Sequence, residues 1–146
     1  MTVRTMLFAA MAALAACSSP TQSIDFQPPA GWTATPSLFG FQAWHTADSK
    51  QTLVLFRLPV AADPNTVMRQ ADINTAGTTT RKITICGKQP ALLILGRGTR
   101  AHSQQNVEMV MTSYAGTTYM AIYARDIGLP LNAQADRAIH SLCRRS

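Results

Sequence analysis

Seven short runs of apolar or alternating residues, each bounded by turn-forming residues, constrain this 146-residue chain more than any other feature. Ile24-Asp25-Phe26-Gln27 alternates apolar and polar with the two-residue period of a half-buried strand. Phe39 to Trp44 sets aromatic residues on alternate sides of a second strand. Thr52–Leu58 and Ala91–Leu95 are almost continuously apolar, which points to burial on both faces. Lys82–Cys86, Asn106–Ser113 and Thr118–Ala124 complete the set. Turn signals separate them at Pro28–Gly31, Ala47–Lys50, Gly87–Pro90, Gly96–Arg100 and Ala115–Gly116. Connections this short join antiparallel neighbours.

Two segments carry a helical period. Asp63-Pro64 supplies a capping carboxylate and a proline suited to the first helical position. Val67, Met68, Ala71 and Ile73 then make an apolar stripe through about Thr75. The second helix is expected from about Leu131 to Cys143, with Ala135, Ile139, Leu142 and Cys143 on one face. The expected fold class is α+β: an antiparallel sheet of six to seven strands with two helices packed on it.

The first residues do not belong to that fold. Arg4 precedes an uncharged apolar run, and the small residues Ala15 and Ala16 lead into Cys17. Basic, apolar and small, in that order, is a secretory signal. The run from Met6 to Ala16 is 11 residues long, and a spanning helix needs about 20. Leu14-Ala15-Ala16-Cys17 resembles the lipobox of bacterial lipoproteins. The resemblance implies cleavage before Cys17, a diacylglyceryl group on its thiol and anchoring in a lipid bilayer. Two or three acyl chains anchor stably where one binds only marginally. The rival reading is an ordinary cleaved signal in which Cys17 is incidental. Residues 1–16 are then the signal, 17–23 a lipidated tether and 24–146 a single domain. Ser18 stands where many proteins kept at an inner membrane have aspartate, so an outer membrane, facing the periplasm, is the preferred location.

Removing residues 1–16 leaves 130, enough for one domain with a real core. A hydrophobic content of 47% against 14% charged excludes a disordered chain. The net charge is +6, and +5 once Arg4 has left. Only Arg81-Lys82 and Arg144-Arg145 are adjacent basic pairs, so the charge reads as a scattered, solvated surface. Contact with anionic headgroups or cell-wall polymers is the alternative use. Export argues against nucleic acid as a partner.

Cys86 and Cys143 are the thiols left after Cys17. An exported domain with two thiols pairs them by preference; two free thiols or a metal site are the other possibilities. With Cys143 on the last helix, the bond would staple that helix to a central strand.

Pro29-Ala30-Gly31-Trp32 after an Ile/Phe strand, the order of elements and the closing Ala138-Ile139-His140-Ser141-Leu142 together resemble the Mog1/PsbP-like α/β sandwich. The resemblance spans most of residues 24–143. Members of that family serve as accessory or binding subunits for unrelated partners, so the resemblance implies a fold and not a task, and it assigns no functional residue. The expected partner is an envelope protein.

Chemistry is sparse. His45, His102 and His140 lack zinc-enzyme spacing. His140 and Cys143, three apart, could share a metal, although a surface histidine beside a disulfide explains them as well. Met109, Met111 and Met120 could offer thioethers to Cu(I), or fill a core. No Gly-x-Ser-x-Gly elbow is present, and the seven carboxylates form no close pair in sequence. Gly96-x-Gly98 is too short for a phosphate loop and reads as a hairpin turn. Trp32, Phe39, Phe41 and Trp44 remain, as core or as a partner or ligand surface. The expected function is a membrane-anchored accessory or binding module with no catalysis, no cofactor and no metal site. The alternative is a periplasmic small-ligand or copper-binding protein.

Radiolabelled palmitate fed to cells expressing the full chain should label it, and Cys17→Ala should abolish the label. Labelling that survives Cys17→Ala would refute the lipobox reading.

Overall fold

The computed structural model describes residues 20, 21, 23–61, 63, 66, 69 and 74–146. Cys17, the segment before it and most of the span expected as a first helix lie outside them. Within that span the Asp63 carboxylate accepts hydrogen bonds from the Thr66 amide and hydroxyl, 2.9 Å each.

Nine strands and one short helix are found among the described residues. They are β1 (Ile24–Asp25), β2 (Thr33–Ala34), β3 (Phe41–His45), β4 (Gln51–Leu58), β5 (Asn74–Ile85), β6 (Gln89–Arg100), β7 (Ser103–Tyr114), β8 (Thr117–Asp126), α1 (Ala133–Ile139) and β9 (Cys143–Arg144). Seven strands form one antiparallel sheet in the order β2-β3-β4-β8-β7-β6-β5, and β1 pairs with β9 as a separate two-stranded ribbon. The expected α+β class with two packed helices is therefore corrected to a mostly β fold, in which one seven-residue helix is found among the described residues. The last positions given to the first helix, Asn74 and Thr75, begin β5.

The sheet has two ends. The upper end holds Leu58 of β4, Thr118 of β8, Tyr114 of β7 and the β5–β6 turn after Ile85. The lower end holds Gln51, Arg125, Gln105 and the β6–β7 turn after Arg100.

Alternation along the strands builds two apolar faces. Leu53, Leu55, Val110, Ala121 and Tyr123 face α1, where Ala135, Ala138, Ile139 and Leu142 meet them together with Ile24 and Phe26. Each such fully buried aliphatic side chain stabilises the fold by roughly 1.5–3 kcal/mol. Ile94, Val107, Met109, Met111, Met120 and Ile122 form a second cluster on the opposite face. The central strand β8 is consequently buried from Thr118 through Tyr123.

The last helix is shorter than its period suggested. Asn132 caps it, its side-chain oxygen accepting from the amides of Gln134 and Ala135 at 3.0 Å. Placing the cap there moves the start to Ala133. At the other end the Ser141 hydroxyl donates to the Ala138 carbonyl at 2.8 Å. The chain then extends, because Cys143 pairs with Asp25 and Arg144 with Ile24. Leu142 keeps the buried place its spacing predicted, and its carbonyl accepts from the Tyr114 hydroxyl at 2.9 Å.

Cys86 and Cys143 are disulfide-bonded, with Cα atoms 5.6 Å apart. Cys143 lies on β9 and not on a helix. Cys86 opens the three-residue turn after β5, an edge strand and not a central one. The bond thus ties the terminal ribbon to the edge of the sheet. Closing a 57-residue loop is worth about 4 kcal/mol in the chain-entropy model. The Cys86→Ser/Cys143→Ser double variant should lose about 2–4 kcal/mol in urea-induced unfolding, which a chemical denaturation series would measure. A loss below about 1 kcal/mol would mean that β1–β9 pairing alone holds the terminus.

Candidate functional site

The second face is not filled along its whole length. Its methionine-rich cluster gives way toward the lower end to a groove of about 340 Å³. The cause lies in β6. Leu92, Ile94, Gly96, Gly98 and Arg100 alternate onto this face, opposite Met111, Met109, Val107, Gln105 and Ser103. Leu92 and Ile94 fill their part of it; Gly96 and Gly98 have no side chain with which to do so. A Cβ on Gly98 would stand 3.2 Å from Val107 Cγ2, so a larger residue there would crowd the floor. Glycine inside a strand marks such places, where another group approaches the backbone closely.

Curvature supplies the walls. Arg100 of β6 donates from Nη1 to Thr52 Oγ1 of β4 at 2.5 Å. Two strands, β7 and β8, lie between them. In a flat sheet that is three steps of about 4.8 Å each, roughly 14 Å and beyond the span of an arginine. The lower end must therefore coil, and Arg100 bridges its mouth. Among the described residues its guanidinium meets Thr52 and no carboxylate. Phe41, Val54, Phe56, Val107 and Ile122 give the groove an apolar interior, with Phe41 and Phe56 in ring contact at 5.1 Å. Gln105 is 95% buried at one edge, its amide donating to Asp126 Oδ1 at 3.0 Å.

The four aromatic residues singled out in the sequence are not one cluster. Phe41 lines the groove. Trp44 is buried on the α1 face against Phe26, ring centroids 5.3 Å apart. Trp32 packs on the same face against Tyr123 at 6.3 Å. Phe39 is 92% exposed in a tight turn at the upper end. Strand parity explains the division: Trp44 pairs with Leu53 and Phe41 with Phe56, residues that point to opposite faces.

Met109, Met111 and Met120 do converge, Met111 lying directly across from Met120. They are buried among Ile94, Val107 and Ile122. Cys143 is committed to the disulfide, so no thiolate stands beside His140. His140 Nδ1 instead contacts the Asp136 carbonyl at 2.8 Å. Among the described residues no three His, Cys, Asp or Glu side chains gather as a metal site.

One further polar cluster lies on the α1 face. Glu108 and Arg125 form an ion pair at 3.0 Å, both more than four-fifths buried. The Tyr123 hydroxyl donates to Gln51 Oε1 at 2.6 Å and accepts from the Asn132 amide at 3.1 Å. Burial raises the Tyr123 pKa above its ordinary value, against the lowering effect of the Asn132 amide and of Arg125. The phenol is thus a neutral fastener between β4, β8 and the start of α1.

Gly96-x-Gly98 was expected as a turn and is the floor of a strand; the turn is at Ala101-His102, both left-handed. The signal was present: glycines two apart, in phase with Leu92 and Ile94. No helix among the described residues is long and apolar enough to cross a membrane.

No family model matches the chain, and no curated protein does. Solved structures do match. The crystal structure of a protein from Bacteroides thetaiotaomicron VPI-5482 superposes with a TM-score of 0.60 over 89% of this chain, at 12% identity. This chain spans about half of that one, 47% of its length. The likeness is one of fold.

Proposed function

We propose that this chain is an envelope lipoprotein, held at a membrane through acylated Cys17, and that it works as a binding module. Its ligand is a slender, mainly apolar molecule with an anionic end. The groove carries this reading: an apolar channel floored by glycine backbone, with one guanidinium across its mouth. Its volume, about 340 Å³, lies at the lower end of ligand sites, which run from about 300 to 1,000 Å³. The polar side chains along it are Thr52, Thr99, Arg100 and Gln105. These hydrogen-bond and attract, and they include no acid–base pair of the kind turnover requires. Binding without catalysis is what they support, and an acyl-chain carboxylate has the matching chemistry. Delivery to, or receipt from, an envelope protein partner is the accessory role consistent with it.

Dansyl-labelled undecanoic acid added to the purified protein should gain fluorescence and be displaced by unlabelled fatty acid. Val54→Trp, which fills the groove from its half-buried wall, should weaken binding at least tenfold, about 1.4 kcal/mol. Arg100→Gln should weaken the acid but leave the corresponding amide probe unchanged. Equal binding by wild type and Val54→Trp would refute the groove as the site.

A further inference from the structure

We propose that the upper end of the sheet faces the bilayer and that Phe39 inserts at the boundary between its headgroups and acyl chains. This rests on the anchoring reading above and adds to it an orientation and a second point of contact.

Phe39 is the starting point. Leu38 and Phe41 exchange both backbone hydrogen bonds, at 2.9 and 2.8 Å, around a two-residue turn. Its central residues, Phe39 and Gly40, have φ of 47° and 77°. Turns of this kind favour asparagine, aspartate or glycine at both places. Gly40 is required, because a Cβ there would lie 2.6 Å from the Arg57 carbonyl oxygen. Phe39 is not required by the fold: a bulky residue in the left-handed region is disfavoured, and this one is 92% exposed. Its ring gains nothing from packing. Leu38 beside it and Val60, two residues past β4, are 54% and 58% exposed.

The surroundings identify the partner. Phe39 lies at the end of the sheet where Gly40 accepts from the Arg57 amide at 2.7 Å. Ser23, where the proposed tether joins the domain, shares a shallow hollow with Arg57, Ala115 and Arg144 at that same end. From Cys17 to Ser23 is six residues, at most roughly 20 Å when extended. The tip is therefore held within reach of the surface that holds the anchor. Lys88, Arg144 and Arg145 are exposed here, and Asp25 is paired with Arg145 at 3.2 Å. Aromatic rings at interfacial depth with basic residues behind them suit a bilayer carrying anionic lipids. A protein partner would call for a broad patch, about 800 Å² on each side, and a single projecting ring does not provide one. Acyl chains alone leave a domain free to swivel; a ring in the interface would fix which end points down.

The test reconstitutes the full lipidated chain with Phe39→Trp into vesicles of phosphatidylcholine and phosphatidylglycerol, with and without bromine on the acyl chains. Wild type is measured in parallel to remove the signals of Trp32 and Trp44. Support is co-flotation with vesicles and a roughly twofold loss of the added tryptophan's emission on bromination, as for a ring at interfacial depth. Flotation without excess quenching would overturn the proposal while the anchor stands. An added tryptophan shielded from bromine and iodide alike would put protein over it and also overturn the proposal. Failure to float would remove the anchor and the orientation together. Phe39→Asn separates a packing role: its thermal midpoint should equal or exceed that of wild type, and a lower one would overturn the assignment.

Discussion

A sheet that is apolar on both faces must find cover for each, and most of this structure follows from how it does so. On one face the cover comes from the chain's own ends. The short helix α1, the β1–β9 ribbon and the disulfide between them and the β5–β6 turn lie over Leu53, Leu55, Ala121 and Tyr123. The polar links there are few and placed at the margins. Tyr123 fastens the start of α1 to β4, and Tyr114 fastens its far end through the Leu142 carbonyl and the Arg144 amide. A helix of seven residues would be marginal in water; its place is set by those contacts and by the apolar face it buries.

The second face solves the problem by curvature. Long strands twist, and β6 and β7, at 12 residues each, are long enough for the twist to bring Arg100 back over β4. Where side chains are large, from Ile94 to Met120, the concavity is packed. Where β6 carries glycine, it is not. The groove is thus the residue of a packing pattern: one alternation, Leu92-Ile94-Gly96-Gly98-Arg100, runs from filled to empty to charged. On the proposed binding reading, that gradient would also set selectivity, because an apolar chain would lie along the glycines with its polar end stopped at Arg100.

This pattern decides what could be read from the sequence. Strand positions were legible because a two-residue period survives without knowledge of partners, and all seven expected strands have a counterpart in the sheet or the ribbon. The disulfide was legible because the signal-like opening segment implies a compartment in which two remaining thiols pair. Its geometry was not: Cys143 fits a helical face by spacing, and only β1, far away in sequence, makes an extended partner for it. The division of Phe41 and Trp44 onto opposite faces followed from parity alone, yet their proximity in sequence suggested a cluster. Gly96 and Gly98 were misread because glycines near a basic stretch resemble a turn, whereas their phase with Ile94 identifies a strand. The polar links through Tyr123 and Tyr114 had no signal in sequence, since each joins residues far apart in the chain.

On the proposed orientation, the two ends of the sheet divide the work. Phe39 and Ser23 are at one end, and the groove, with Thr52, Gly98 and Arg100, opens at the other. A strand rises about 3.3 Å per residue, and β4 has eight residues, so the groove mouth would stand roughly 25 Å above the membrane-facing tip. The anionic end of the ligand, at Arg100, would then stand clear of the bilayer, while its apolar body runs back toward Phe41 and Phe56. Such an arrangement presents the charged end to a partner in the aqueous space. Exposed apolar residues occur at both ends, Leu38, Phe39 and Val60 at the upper and Ile127 and Leu131 at the lower; the position of Ser23, beside Arg57 and Arg144, is what assigns the upper end to the bilayer.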